Sequence, residues 1–190
     1  MVIISSKKYI YLVFSRTGTL FSRVINFGLS HKYAHVSLSF DSNLNVMYSF
    51  GRINPDNPFI AGLITENIDG GIFTKFPYSE CMIYKVTVTE NQFKALKEEL
   101  KIFMDEQEKY RYNFLGVFTA YWDKPRKKDY YYFCSQFVSE LLIKSSIYKS
   151  DKTPALISPK DLLAIDNKEI IYEGLVCNYS KSMEGALVAY

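Results

Sequence analysis

The sequence predicts a single α+β domain in which a small antiparallel sheet packs with helices, and three observations predict it. Short β-rich segments alternate along the chain with segments whose apolar residues recur at helical spacing. Turn formers separate them, and there is no internal repeat, low-complexity tract or linker to divide the chain. The 190 residues, 48% hydrophobic and 23% charged, supply one closed core and exclude a disordered chain or a coiled coil. Residues 1–190 are therefore read as one unit. Aromatic residues reach 16%, with 16 Tyr and 14 Phe against one Trp, so rings carry much of the packing.

The elements follow in order. Residues 10–14 (IYLVF) form a short apolar strand, and Thr19 caps a helix through Leu20, Phe21, Val24, Ile25 and Phe27 that stops near Gly28. Residues 34–40 (AHVSLSF) and 46–50 (VMYSF) flank the turn-forming DSNLN and read as a hairpin, with His35 at its beginning. Residues 51–72 carry Gly51, Pro55, Pro58, Gly62, Gly70 and Gly71 and read as a long irregular excursion, of the kind that borders or covers a site. Residues 81–88 (CMIYKVTV) alternate as a strand. Thr89 and Gln92 form a capping box ahead of Phe93, Leu96, Leu100 and Phe103, which recur at helical spacing. Asn113 caps a short aromatic helix through Phe114, Leu115, Val117 and Phe118. The extended YYYF then leads into Cys134, and Phe137, Val138, Leu141 and Leu142 mark one apolar helical face with Cys134 in the first turn. Ser158, Pro159 and Asp161 start another helix, because Ser caps well and Pro suits the first helical position. Residues 170–172 suggest a closing strand.

Charge and composition exclude several function classes. The net charge of +3, from 23 basic and 20 acidic residues, is too balanced for a nucleic-acid binder. One basic cluster, Lys124, Arg126, Lys127 and Lys128, reads as a solvated loop broken by Pro125, or else as a site for an anionic headgroup or phosphate. The first residues carry an apolar stretch of only about six residues after their lysines and no small-residue cleavage site, so they are not read as a signal peptide. No run approaches the roughly 18 apolar residues of a membrane span, so no integral membrane segment is expected. Cys81, Cys134 and Cys177 are an odd set without framework spacing, which fits free thiols in a reducing cytoplasm. Three cysteines and two histidines without a close ligand pair give no zinc pattern, and SRTGTL lacks the glycines and Lys of a phosphate loop. No metal or cofactor is expected.

A free thiol is then available for chemistry. It is a good nucleophile only as thiolate, and an ordinary Cys titrates near roughly 8.5. A helix N-terminus favours the anion through its unpaired N–H groups and aligned peptide dipoles, and the same groups can receive an oxyanion. Position gives Cys134 both advantages, although most unpaired cysteines are small buried hydrophobes. Of the two histidines, His31 sits in the polar SHKY and reads as an exposed loop residue. His35 opens an apolar strand, where a core-edge histidine satisfied by backbone is as good a reading as a base.

The segments YAHVSLSF, VMYSFGR and YYYFCSQFVSELL resemble the permuted NlpC-like cysteine peptidase superfamily, especially the bacterial YiiX/YaeF-like proteins, and are similar to lecithin:retinol acyltransferase relatives. In those families a strand-borne His precedes a helix-borne Cys, and here HVS at 35–37 precedes FCSQFV at 133–138. YNFLG at 112–116 and SPKDLL at 158–163 extend the similarity over most of the chain. The resemblance implies a papain-like fold, Cys134 as nucleophile, His35 as base, and a third polar residue on the strand paired with the His strand that orients the imidazole. Laying the two strands together puts Tyr48 at that place, with Ser49 as the alternative one register step away. Tyr48 departs from the usual His, Glu, Asn or Gln of the family. Arg52, which leaves the hairpin in SFGR, together with Ser49 and Ser135, is a candidate substrate contact. Asp41, Glu66, Asp69 and Glu80 offer carboxylates without a spacing that pairs them.

The expected activity is that of a thiol-dependent amidase or peptidase acting through an acyl-thioester on a small peptide, amide or lipid-amide substrate. An acyltransferase or thioesterase of the same superfamily is the alternative. A binding module with a dead site is the other, and a neutral third residue is its best support.

Overall fold

The computed structural model describes residues 7–17, 32–54, 57–114, 116 and 128–179. The helix expected over residues 20–27, its Thr19 cap, His31, the aromatic helix beyond Gly116 and the basic residues 124, 126 and 127 lie outside them.

Six strands build the sheet. They are β1 (Lys8–Arg16), β2 (His35–Ser39), β3 (Met47–Asn54), β4 (Asn57–Glu66), β5 (Glu80–Val88) and, near the end of the chain, β8 (Lys168–Leu175). Their order is β4-β3-β2-β1-β5-β8, and every neighbouring pair is antiparallel. Two short strands, β6 (Arg111–Tyr112) and β7 (Tyr131–Tyr132), pair in parallel apart from it. Among the described residues the α-helices are α1 (Gly71–Lys75), α2 (Glu90–Asp105), α3 (Cys134–Lys144) and α4 (Pro159–Leu162). This mixed architecture is the α+β class that the alternating patterns predict.

The continuous apolar run of β1 is explained by burial on both sides. Ile10, Leu12 and Phe14 enter the larger core with Val36, Leu38 and the apolar face of α3, while Tyr11 and Val13 enter a second cluster with Met47, Phe73 and Ile83. α3 packs against β2, β3 and α2. Phe137, fully buried, meets Phe50 at 5.2 Å and Phe103 at 5.0 Å between ring centres, so rings from three elements close this interface. The capping boxes expected at Thr89 and Ser158 form. Thr89 Oγ1 accepts from Gln92 N at 3.2 Å while Thr89 N donates to Gln92 Oε1 at 2.9 Å, and Ser158 and Asp161 repeat the arrangement ahead of α4.

Residues 51–72 depart from the expected irregular excursion. β3 continues to Asn54 and β4 returns from Asn57 to Glu66, a second hairpin in which Gly51 pairs with Gly62. The glycines mark close approach of side chains within the sheet, not a coil. Pro58 falls in the edge strand, where a missing N–H removes no ladder bond on the open side. Among the described residues of this range the loop is the stretch after Glu66, with Gly71 at φ +55 entering α1 in a conformation that glycine adopts without strain.

Candidate active site

α3 begins without a side-chain cap. Its N-cap residue is Phe133, which has no capping oxygen, and its first turn carries no acidic residue. The N–H groups around Cys134 thus keep their partial positive charge directed outward. β6 and β7 fix this helix start, since Asn113 N donates to Tyr132 O at 2.8 Å two residues before Cys134. Asn113 Oδ1 in turn accepts from Gly116 N at 2.8 Å, the contact of an N-cap.

β2 brings His35 to the same place. Cys134 Sγ donates to the carbonyl oxygen of Ala34 at 3.9 Å, and the thiol adjoins the His35 imidazole closely enough to raise its pKa. The second imidazole partner is Glu66 at the end of β4, whose Oε1 and Oε2 lie 3.2 and 3.1 Å from His35 Nε2. Nε2 is committed to the carboxylate, which leaves Nδ1 as the ring nitrogen without it. Ser37 Oγ donates to Glu66 Oε2 and lies 3.2 Å from Nε2, which closes a four-membered array of Cys134, His35, Glu66 and Ser37.

The charges in this array support one another. Burial opposes a charge on His35, but the adjoining Glu66 carboxylate and the hydrogen bonds to Cys134 and Glu66 outweigh it, so the imidazole pKa stands well above its ordinary value. Burial likewise opposes ionised Glu66, and the His35 charge with the His35 and Ser37 hydrogen bonds brings its pKa below the ordinary range. The His35 side chain is 23% exposed and that of Glu66 9%, so solvent reaches the base more readily than the group behind it.

Tyr112 completes the surroundings of the thiol. Burial, and then the neighbouring Cys134, push its pKa far above the ordinary phenol value, with Arg52 acting the other way. It keeps its proton and offers a donor. The other thiols differ in setting. Cys81 is buried on β5 in the second core cluster, and burial pushes its pKa up to about 12, while Cys177 is exposed beside Asn178.

Tyr48 is not the imidazole's partner. The register Leu38↔Tyr48 puts it on the face opposite His35 and Ser37, where it packs 6.4 Å from Phe40. Continuing that register sets Gly51 across from His35, and a Cβ there would lie 3.5 Å from His35 Cε1. The imidazole rests over a residue with no side chain, and Glu66 reaches it from the next strand. Ser49 is fully buried and gives its hydroxyl to Val36 O at 2.7 Å. Ser135 gives its own to Ile157 O at 2.7 Å. Both hydroxyls tie elements together, which leaves Arg52 as the predicted substrate contact that lies beside open space. Glu66 and Tyr112 are the residues that sequence spacing did not single out; Tyr112 stands in the YNFLG segment, and Glu66 had no local signal.

Among the described residues no group of three or more His, Cys, Asp or Glu side chains is placed to hold a metal ion, and no helix is long and apolar enough to cross a membrane. Searches against protein families, curated proteins and solved structures find no match to the chain.

Proposed function

We propose that this protein is a thiol-dependent hydrolase of the papain-like class, an amidase or peptidase with Cys134 as nucleophile and His35 as its base. The observation that carries the reading is the Cys134, His35 and Glu66 array at an uncapped helix start. A nucleophile, a base and a group that orients the base are the three parts that this chemistry needs.

His35 takes the Cys134 proton at Nδ1, and Glu66 stabilises the imidazolium through the Nε2 proton. The thiolate adds to the substrate carbonyl, and the resulting oxyanion receives hydrogen bonds from the N–H groups at the start of α3 and from the Tyr112 hydroxyl. Collapse breaks the C–N or C–O bond, with the imidazolium proton passing to the leaving amine or alcohol. Water then attacks the acyl-thioester with His35 again as base, which releases the carboxylic acid and restores the thiol. A carboxylate behind His35 favours this reading over a dead-site binding module, whose support is a neutral third residue.

The test is iodoacetamide labelling of the native protein across pH, read by peptide mass. Cys134 is expected to label near neutrality ahead of Cys81 and Cys177, and to lose that lead in His35→Ala. Equal, slow labelling of all three thiols would end the hydrolase reading.

A further inference from the structure

A cavity of about 400 Å³ opens along the edge of the sheet beside the array. Glu66 forms part of its wall, as do Arg52 and the apolar side chains of Ile53, Ile64, Ile72 and Phe73. Its size suits a small-molecule group of a substrate. Two links tie it to the chemistry. Glu66 is shared with the imidazole, and Arg52 neighbours Tyr112, which in turn neighbours Cys134.

The charge that this cavity offers a ligand is positive. Glu66 accepts from both His35 and Ser37, so its carboxylate is engaged within the array. The Arg52 guanidinium has five N–H donors in a planar fork, enough to serve a partner in the protein and a ligand anion together. Partial burial raises the strength of any ion pair formed there. The apolar wall of Ile53, Ile64, Ile72 and Phe73 favours a hydrocarbon stem between the anion and the reacting carbonyl.

Resting on the hydrolase reading, we infer that the cavity beside Arg52 selects amide or ester substrates that carry an anionic group, a carboxylate or a phosphate, on an aliphatic stem. Arg52 acts in specificity, holding the anion, and takes no part in proton transfer. Charge-assisted pairing by a guanidinium fork is strong enough to separate acidic substrates from neutral ones of the same shape.

The test measures how fast maleimides alkylate Cys134. N-ethylmaleimide and longer N-alkylmaleimides are compared with maleimidoacetic, 3-maleimidopropionic and 6-maleimidohexanoic acids of matched length, and the acid-to-neutral rate ratio is read at each length. The expected result is a ratio of about tenfold or more at the length that spans thiol to guanidinium, the scale of one charge-assisted hydrogen bond. The ratio should fall to about one in Arg52→Gln and stay intermediate in Arg52→Lys. Hexanoate and hexyl phosphate are then added as competitors, and the stronger protector of Cys134 identifies the anion. A wild-type ratio of one or less at every length, with Cys134 still the fastest thiol toward N-ethylmaleimide, overturns the inference and leaves the hydrolase reading in place. A high ratio unchanged in Arg52→Gln also overturns it. Loss of the Cys134 lead toward N-ethylmaleimide removes both.

Discussion

Glu66 sits two strands away from His35 and still places both carboxylate oxygens, at 3.2 and 3.1 Å, on His35 Nε2. Side-chain lean makes this possible. Gly62 pairs with Gly51, yet it is Ile64, two residues on, whose side chain lies over Gly51. Glu66, a further two residues along β4, leans in the same sense over Ser49 to reach Ser37 and His35.

That geometry makes Glu66 the orienting group, and its removal should show in the rate of Cys134 alkylation at pH 7. Glu66→Gln keeps the shape but removes the charge that holds the imidazolium. A loss of about 100-fold is expected, within the usual range for acid and base groups. Tyr48→Phe should leave the rate within about twofold of wild type, because Tyr48 packs against Phe40 on the face of β3 opposite His35 and its ring is kept. Equal losses in the two variants would contradict the assignment.

Ser37 acts through Glu66. Its hydroxyl donates to the carboxylate and so favours the ionised form, which in turn favours protonated His35. Ser37→Ala should lower the His35 pKa, read by NMR of the imidazole, while Ser37→Thr should retain most of it. The donated bond goes to a charged group, where such bonds contribute about 1.5–3 kcal/mol. An unmoved His35 titration in Ser37→Ala would reduce the serine to packing.

The same pair sets a stability profile. His35 has a folded pKa above its ordinary 6.5, so its contribution is complete below 6.5 and is lost as pH rises toward the folded value. Glu66 has a folded pKa below its ordinary 4.5, so its contribution is complete above 4.5 and is lost as pH falls toward the folded value. Urea unfolding should therefore show the largest gap between wild type and Glu66→Gln from pH 4.5 to 6.5, narrowing on either side. The slope is at most about 1.4 kcal/mol per pH unit for each proton. A gap independent of pH would show that the pair is not ionised in the folded protein.

Local chemistry made much of this architecture readable. Thr89 with Gln92, and Ser158 with Asp161, announce helix starts through contacts within four residues, and the structure forms both boxes. Cys134 at a first helical turn and His35 at the head of a strand follow from periodicity in the same way. The partner of the imidazole was not readable, because it depends on register across three strands. Pairing two strands alone puts Tyr48 there, whereas the relevant geometry needs β4, which Gly62 and Pro58 hide in the sequence. A glycine reads as a coil signal in sequence, while at Gly51 it marks the floor beneath the His35 ring and the Ile64 side chain.

Gly51 gives the last prediction. A Cβ at this position would stand 2.7 Å from Ile64 Cδ1 and 3.5 Å from His35 Cε1. The first distance is a clash, but with the end of a flexible side chain, so the chain folds with Ile64 displaced. Gly51→Ala should cost about 1–2 kcal/mol in urea unfolding, typical of modest overpacking, and should slow Cys134 labelling as the shifted methyl crowds the imidazole. Ile64→Val removes the clashing Cδ1 and by itself costs about 1 kcal/mol. Combined with Gly51→Ala, it should recover both stability and labelling rate, giving a favourable coupling in the double-mutant cycle. Strict additivity of the two substitutions would mean that the crowding lies elsewhere and that Gly51 is not what makes room for the imidazole.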